Sequence, residues 1–292
     1  MPPAKASTLR GFAWAAAAAV SALVAAAGII GDTGDGAPSG AAMSRAAAGT
    51  VAAGPAGSAI PAVAATARVL NAANGRMEAV VPDVAGTVLL IGDSQSEPVD
   101  GWPRLGLAAA GYNVYFCGRG GTGYVAANGA TGNYIDALQR GDWLLPSGTP
   151  ALIVVEGGGN DAAGGASNAQ IVRNAERLIT ELRTRYPGTR LAMIGTLARG
   201  ANDGGGRRSE VDAVLGAVAG ANGLPFISTG DWLTRYGLAK DLADAVHMNP
   251  DGRRALGGIL AGRLRELGLG RNTPAEQGAL AAVPAAGSMF QD

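Results

Sequence analysis

Val88-Leu89-Leu90-Ile91-Gly92-Asp93-Ser94-Gln95-Ser96 is the stretch around which the chain reads. Four bulky apolar residues in succession, closed by a glycine, describe a strand buried on both faces of a parallel sheet, with a tight turn at its carboxyl end. That turn presents Ser94. Ligands of open α/β sheets bind outside the carboxyl ends of the strands, so a serine in this place is a candidate nucleophile. The plainer alternative is that Asp93 or Ser94 caps the next helix. What lies downstream has to decide between the two.

From about Arg68 to Gly268 short apolar runs alternate with amphipathic stretches, the pattern of a parallel sheet covered by helices. Strands are expected at Val88 to Ile91, Val114 to Cys117, Ala151 to Val155, Leu191 to Gly195 and Pro225 to Ile227. After Ser167, which forms a capping box with Gln170, the residues Ile171, Ala175, Leu178, Ile179 and Leu182 share one helical face. A second helix from about Ser209 turns Val211, Val214, Leu215 and Val218 inward. The last starts at Asn249 as N-cap with Pro250 behind it, buries Leu256, Ile259, Leu260, Leu264 and Leu267, and ends at Gly268. The expected fold is a three-layer α/β/α sandwich around a central, mostly parallel five-stranded sheet of flavodoxin-like type over residues 67–269.

The flanks of this region read differently. Lys5 and Arg10 precede an uncharged, alanine-dominated run from Phe12 to Ile30, so residues 1–30 are expected to be an export signal. The run is also long enough to span a bilayer, which leaves an uncleaved N-terminal anchor and membrane association open. Residues 31–66 are an Ala/Gly/Pro/Ser linker that cannot bury enough surface to offset its ordering entropy, and residues 270–292 form a low-complexity tail of the same kind. With an alanine- and glycine-rich, lysine-poor composition, the setting expected is secretion or the cell envelope.

Composition excludes several functions. The 292 residues carry no formal net charge and only two lysines, Lys5 and Lys240, so no basic face argues for nucleic acid. Cys117 is the one cysteine and His247 the one histidine, which rules out an internal disulfide and leaves no usual His/Cys zinc site. Cys117 reads as a small buried hydrophobe in its strand. No cofactor or metal is expected.

Three further loops should share the sheet edge of Ser94. Gly118, Gly120 and Gly123 fit a dinucleotide fingerprint, but Tyr124 to Gly132 shows no apolar stripe for the helix that must receive a pyrophosphate. A glycine there can instead expose its backbone N–H to a ligand oxygen. Asn160, behind Gly157-Gly158-Gly159, either donates its amide toward a developing negative charge or builds an Asx turn. His247 lies three residues after Asp244, close enough for the carboxylate to fix one ring nitrogen and leave the other as a base. Asp241 is the decoy, expected on a solvated face.

Together these residues resemble the SGNH hydrolases, the GDSL family of esterases and lipases, over about Val88 to Gly268. The family's first block is matched by Gly92-Asp93-Ser94 and implies Ser94 as nucleophile. Its next block, a strand followed by a glycine-rich loop, is similar to Gly120-Gly121 and implies the Gly121 N–H as an oxyanion donor, with Gly120 in its place if the register slips by one. The third, G-x-N-D, is matched by Gly158-Gly159-Asn160-Asp161 and implies Asn160 as a donor beside the N–H of Ser94; the last, D-x-x-H, is matched by Asp244-Ala245-Val246-His247. One departure is visible: Gln95 stands where the family usually has leucine, a change expected to polarise the pocket wall. No G-x-S-x-G elbow of the ordinary α/β-hydrolases occurs.

The resemblance implies a serine esterase acting on small-molecule, lipid or glycan esters, without a cofactor. An O-acyltransferase of cell-envelope glycans or lipids would use the same residues, and a non-catalytic envelope or carbohydrate-binding protein would keep only the scaffold. Trp102, Tyr124, Trp143 and Trp232 either line the pocket or pack in the core. With no long apolar lid in evidence, short acyl groups are expected.

Overall fold

The computed structural model of the chain describes residues 64–271. The expected export segment 1–30, most of the expected linker 31–66 and residues 272–292 of the expected tail lie outside the described residues. Within them, five strands form the central sheet: β3 (Thr87–Gly92), β4 (Asn113–Gly118), β5 (Leu152–Glu156), β6 (Leu191–Ile194) and β7 (Phe226–Ile227). All pairings are parallel, in the order β4-β3-β5-β6-β7. The expected strands are all present. The sheet is wholly rather than mostly parallel.

Alternate residues of each strand enter opposite cores. Leu89, Ile91, Ile153, Val155 and Met193 pack under α2 (Tyr134–Arg140), α4 (Asn168–Arg185) and α5 (Gly206–Ala221). Val88, Leu90, Leu152, Val154 and Ile194 pack under α1 (Trp102–Ala109), α6 (Trp232–Arg235) and α7 (Pro250–Glu266). A strand buried on both faces shows no alternation, which is why β3 and β5 read as continuous apolar runs. One short turn of helix, α3 (Gly159–Ala163), follows β5 where a loop is expected.

The helices follow their sequence signals closely. Both halves of the Ser167/Gln170 capping box are made, and the five residues assigned to the α4 face are its buried ones. In α5, Val211, Leu215 and Val218 are buried, Val214 is only half-buried, and Asp212 is buried beside them. Asn249 accepts from the Gly252 N–H as N-cap of α7. Ile259 is only half-buried, and Leu267 is the miss, 41% exposed. Gly268 turns left-handed (φ 64°), and Leu269 N–H bonds back to the Leu264 carbonyl at 2.7 Å. That Schellman closure buries Leu269 in place of Leu267.

An antiparallel hairpin precedes the sheet, β1 (Ala67–Asn71) with β2 (Arg76–Val80). Sequence patterning does not reveal it, because β1 is mostly exposed and shows no apolar face. Glu78 anchors it through an ion pair with Arg185 of α4 at 3.1 Å, both side chains being buried. At the other boundary Arg271 is docked, its N–H on the Ala110 carbonyl and its guanidinium on the Gly86 carbonyl, so the folded region runs past the expected end at 269. Among the described residues, no helix is long and apolar enough to cross a membrane.

Candidate active site

The chain leaves β3 to form β4 on one side and returns to form β5 on the other, so β3 is the topological switch point, where such sheets open a crevice at their carboxyl edge. Ser94 sits there. Asp93 makes the turn: its Oδ1 accepts from the Gln95 N–H at 2.9 Å, and its carbonyl accepts from the N–H groups of Ser96 and Glu97. The role of Asp93 is therefore in the turn rather than at a helix cap, and no helix starts until Trp102.

Asp244 closes the opposite side. Its Oδ1 accepts from the N–H groups of Val246 (2.8 Å) and His247 (2.7 Å), folding the short loop so that its Oδ2 meets His247 Nδ1 at 2.8 Å. The backbone N–H of His247, then that of Val246 and the imidazole, hold the Asp244 carboxyl down at about 2. The ionised carboxylate can only accept, which places the ring proton on Nδ1 and leaves Nε2 with its lone pair. Nε2 stands 2.8 Å from Ser94 Oγ. Residues 153 positions apart in the chain thus form one hydrogen-bonded line. Asp241 takes no part; it is half-buried rather than solvated, with its carbonyl on the Asn249 N–H.

The three donors expected around Ser94 differ in state. Among the described residues, neither the Ser94 N–H nor the Gly121 N–H has a protein acceptor. The Gly120 N–H does: Glu97 Oε2 takes it at 2.8 Å. Gly120 has a packing reason instead, since a Cβ there would stand 3.3 Å from Ser94 Cβ and 2.8 Å from the Glu97 carboxylate. Asn160 is brought beside Ser94, and its amide donates to the Thr122 carbonyl (2.9 Å) and to Asp93 Oδ2 (3.2 Å). Gly121 lies on the neighbouring turn, with Asn128 next to it.

Beneath the serine lies a layer of buried acids. Desolvation raises the Asp93 carboxyl to about 6 against the pull of the Gln95 N–H, and raises Glu156 well above its ordinary value. Glu156 Oε2 accepts from Ser96 Oγ at 2.7 Å. Asp161 accepts the N–H groups of Tyr124, Val125 and Ala126, which holds the glycine-rich loop against α3. The contacts of Glu156 with Ser96 and of Asp161 with residues 124–126 are not legible in the sequence, because their partners lie far apart along the chain. Among the described residues, no three His, Cys, Asp or Glu side chains group to hold a metal.

Gln95 is part of the wall of the cavity at Ser94, as expected, but both polar atoms of its amide are already engaged. Its Nε2 donates to the Val246 carbonyl at 2.9 Å and its Oε1 accepts from Trp102 Nε1 at 3.1 Å, both within the fold. The four aromatics that could have walled the pocket are packed: Trp102, Tyr124 and Trp232 are fully buried, and Trp143 is buried beside Tyr134. Cys117 is buried as expected. The cavity at Ser94 is small, about 50 Å³, and is walled by Asn160, Arg208, Val246 and His247. A cavity of about 460 Å³ among Arg76, Trp143 and Arg185 shares no residue with the cavity at Ser94.

The GDSL-like lipase/acylhydrolase family model matches residues 90–255, more than half of the chain, from within β3 to within α7. The chain belongs to that family. It is an SGNH hydrolase, a carboxylic ester hydrolase in activity. No curated protein matches the chain. Solved structures similar to this SGNH hydrolase include a family two carbohydrate esterase from Clostridium thermocellum, 17% identical over 66% of this chain and 68% of that one, with a TM-score of 0.47. Est24, a carbohydrate acetylesterase from Sinorhizobium meliloti, is 16% identical over 62% of this chain and 99% of that one (TM-score 0.46). The aryl esterase of M. smegmatis is 18% identical over 62% and 99% (TM-score 0.45).

Proposed function

We propose that the SGNH hydrolase works by two-step acyl transfer with Ser94 as nucleophile, His247 as base and Asp244 as the group that orients the ring. The observation that carries this reading is the line from Ser94 Oγ to His247 Nε2 and from Nδ1 to Asp244 Oδ2, each link 2.8 Å. As the hydroxyl attacks an ester carbonyl, Nε2 takes its proton and Asp244 stabilises the imidazolium; Nε2 then returns the proton to the departing alcohol, and water releases the acid. The oxyanion is held by the free N–H groups of Ser94 and Gly121 and by the amide of Asn160, which exchanges one of its resting acceptors for the developing charge.

A reaction cavity of about 50 Å³ supports short acyl groups, acetyl foremost. We read the chain as exported, on the strength of the charged start and the apolar run from Phe12 to Ile30. Cell fractionation with an antibody to the folded region tests that; recovery only from the cytoplasm refutes it. For the chemistry, Ser94→Ala and His247→Ala are expected to abolish hydrolysis of p-nitrophenyl acetate, while Asp241→Ala keeps it. Equal loss in all three overturns the assignment.

A further inference from the structure

Beside the nucleophile sits a guanidinium without a counter-ion. Arg208, in the first turn of α5, is half-buried and forms no ion pair among the described residues. Its Nε donates to the Leu197 carbonyl at 3.0 Å, and Nη1 reaches the Gly159 carbonyl only at 3.5 Å. Nη2 has no partner among the described residues. The acids that act on it electrostatically, Asp93 and Glu156, lie beyond ion-pair distance, so they offset its charge only in part. A charge drawn out of water is costly unless something pairs it.

Two cavities share Arg208 and Val246 as walls. One is the small reaction cavity at Ser94. The other, about 120 Å³, is walled by Arg199 and Arg208, by Leu197 and Leu233, and by Ala245 and Val246, with no carboxylate among its lining residues. Ala245 and Val246 belong to the loop that carries His247, the group that must hand a proton to the departing alcohol oxygen. In the triad reading, adjacency to that loop sets the larger cavity on the alcohol side of the scissile bond.

We propose that this larger cavity receives an anionic group, a carboxylate or a phosphate, borne on the alcohol part of the ester, and that Arg208 with Arg199 selects for it. A planar guanidinium fork suits either oxyanion. The substrate class is then an acylated acidic alcohol rather than a neutral one. This rests on the triad reading above, since it takes the position of His247 to define the leaving-group side.

The test is the hydrolysis of three acetyl esters on one aryl frame: 3-acetoxybenzoate, 3-acetoxyphenyl phosphate and methyl 3-acetoxybenzoate, each rate divided by that for alkaline hydrolysis. The full-length enzyme is expected to favour at least one anionic ester over the neutral one in kcat/KM, carried by KM, by roughly ten- to a hundredfold, the range of one charge-assisted hydrogen bond. Arg208→Gln should bring the ratio toward one, and Arg208→Lys should retain part of it. Arg199 is exposed, so Arg199→Gln keeps the fold and should also lower the ratio if the substitution at 208 disturbs folding. A ratio near one in the wild-type enzyme, or one untouched by either glutamine variant, overturns the proposal. So does a stronger preference for a charge on the acyl side, measured with the hemisuccinate of methyl 3-hydroxybenzoate. If Ser94→Ala still cleaves the neutral ester, it is the triad reading that has failed. If the neutral ester depends on Ser94 but no charge preference exists, only the anion site has.

Discussion

Gln95 Nε2 donates to the carbonyl of Val246 at 2.9 Å, joining the turn that carries Ser94 to the loop that carries His247, 151 positions further along the chain. Its other end is held by Trp102 Nε1. The Ser94 hydroxyl and the imidazole are thus spaced by a side chain adjacent to each, and the 2.8 Å contact between them inherits that spacing. Gln95→Leu would keep the volume and leave a buried indole N–H unpaired, at a cost of about 1 to 3 kcal/mol. Urea denaturation should show that loss, and kcat should fall with it because the loop of His247 loses its tether. An unchanged kcat would mean that Asp244 alone positions the loop.

Asp244→Asn tests the tautomer argument. The carboxylate oxygen that faces Nδ1 fixes the ring proton there, whereas an amide can offer its NH2 group to the same nitrogen and reverse the tautomer. Turnover should fall by on the order of 10³ to 10⁴, with the fold retained, as read by circular dichroism and steady-state kinetics.

Asn160→Ala should lower kcat by on the order of 10² to 10³ with little change in KM, because in the proposed mechanism the amide meets the charge only as it develops. Gly121→Ala, by contrast, keeps its N–H but strains a backbone at φ 80°, so its effect should appear in stability as much as in rate. Thermal melts alongside kinetics separate the two.

The buried Asp93 imposes a pH dependence on stability with a definite sign. Its carboxyl is raised by burial from 3.8 to about 6, so between those values the folded state binds more protons than the unfolded one. Stability therefore falls as pH rises from about 4 toward 6, and the penalty is fully present above that, on the order of 2 to 3 kcal/mol. Asp244 acts in the opposite sense: held at about 2, it adds stability above its ordinary 3.8 that is lost as pH falls toward 2; its exposure keeps that contribution small. Asp93→Asn should flatten the slope between pH 4 and 7 in chemical denaturation, whatever it does to the absolute level through its contact with Asn160. A wild-type curve that rises across this window would contradict the burial argument.

How far the sequence carries can be read from particular elements. The core strands are legible because each is apolar on both faces, and α4 because a capping box and a clean apolar stripe agree. The β1–β2 hairpin is missed for the opposite reason, since an exposed strand has no pattern to show. The indole rings of Trp102 and Trp232 are ambiguous in sequence, and it is their contact, 5.9 Å between centroids, that places them in the core.

From the sequence alone came the layered α/β/α architecture, the carboxyl edge at which the site must lie, and the short-range pairing of Asp244 with His247. These are written in local patterns: periodicity, caps and spacing, whose physics spans only a few residues. Only the tertiary structure decided which of two glycines keeps its N–H free, that Gln95 is a tether, that Asp93 and Glu156 are buried together, and that Arg208 stands beside Ser94 without an ion-pair partner among the described residues. Each depends on which strand ends become neighbours when the sheet assembles, and on the desolvation that follows, and neither has a signature in the order of residues along the chain.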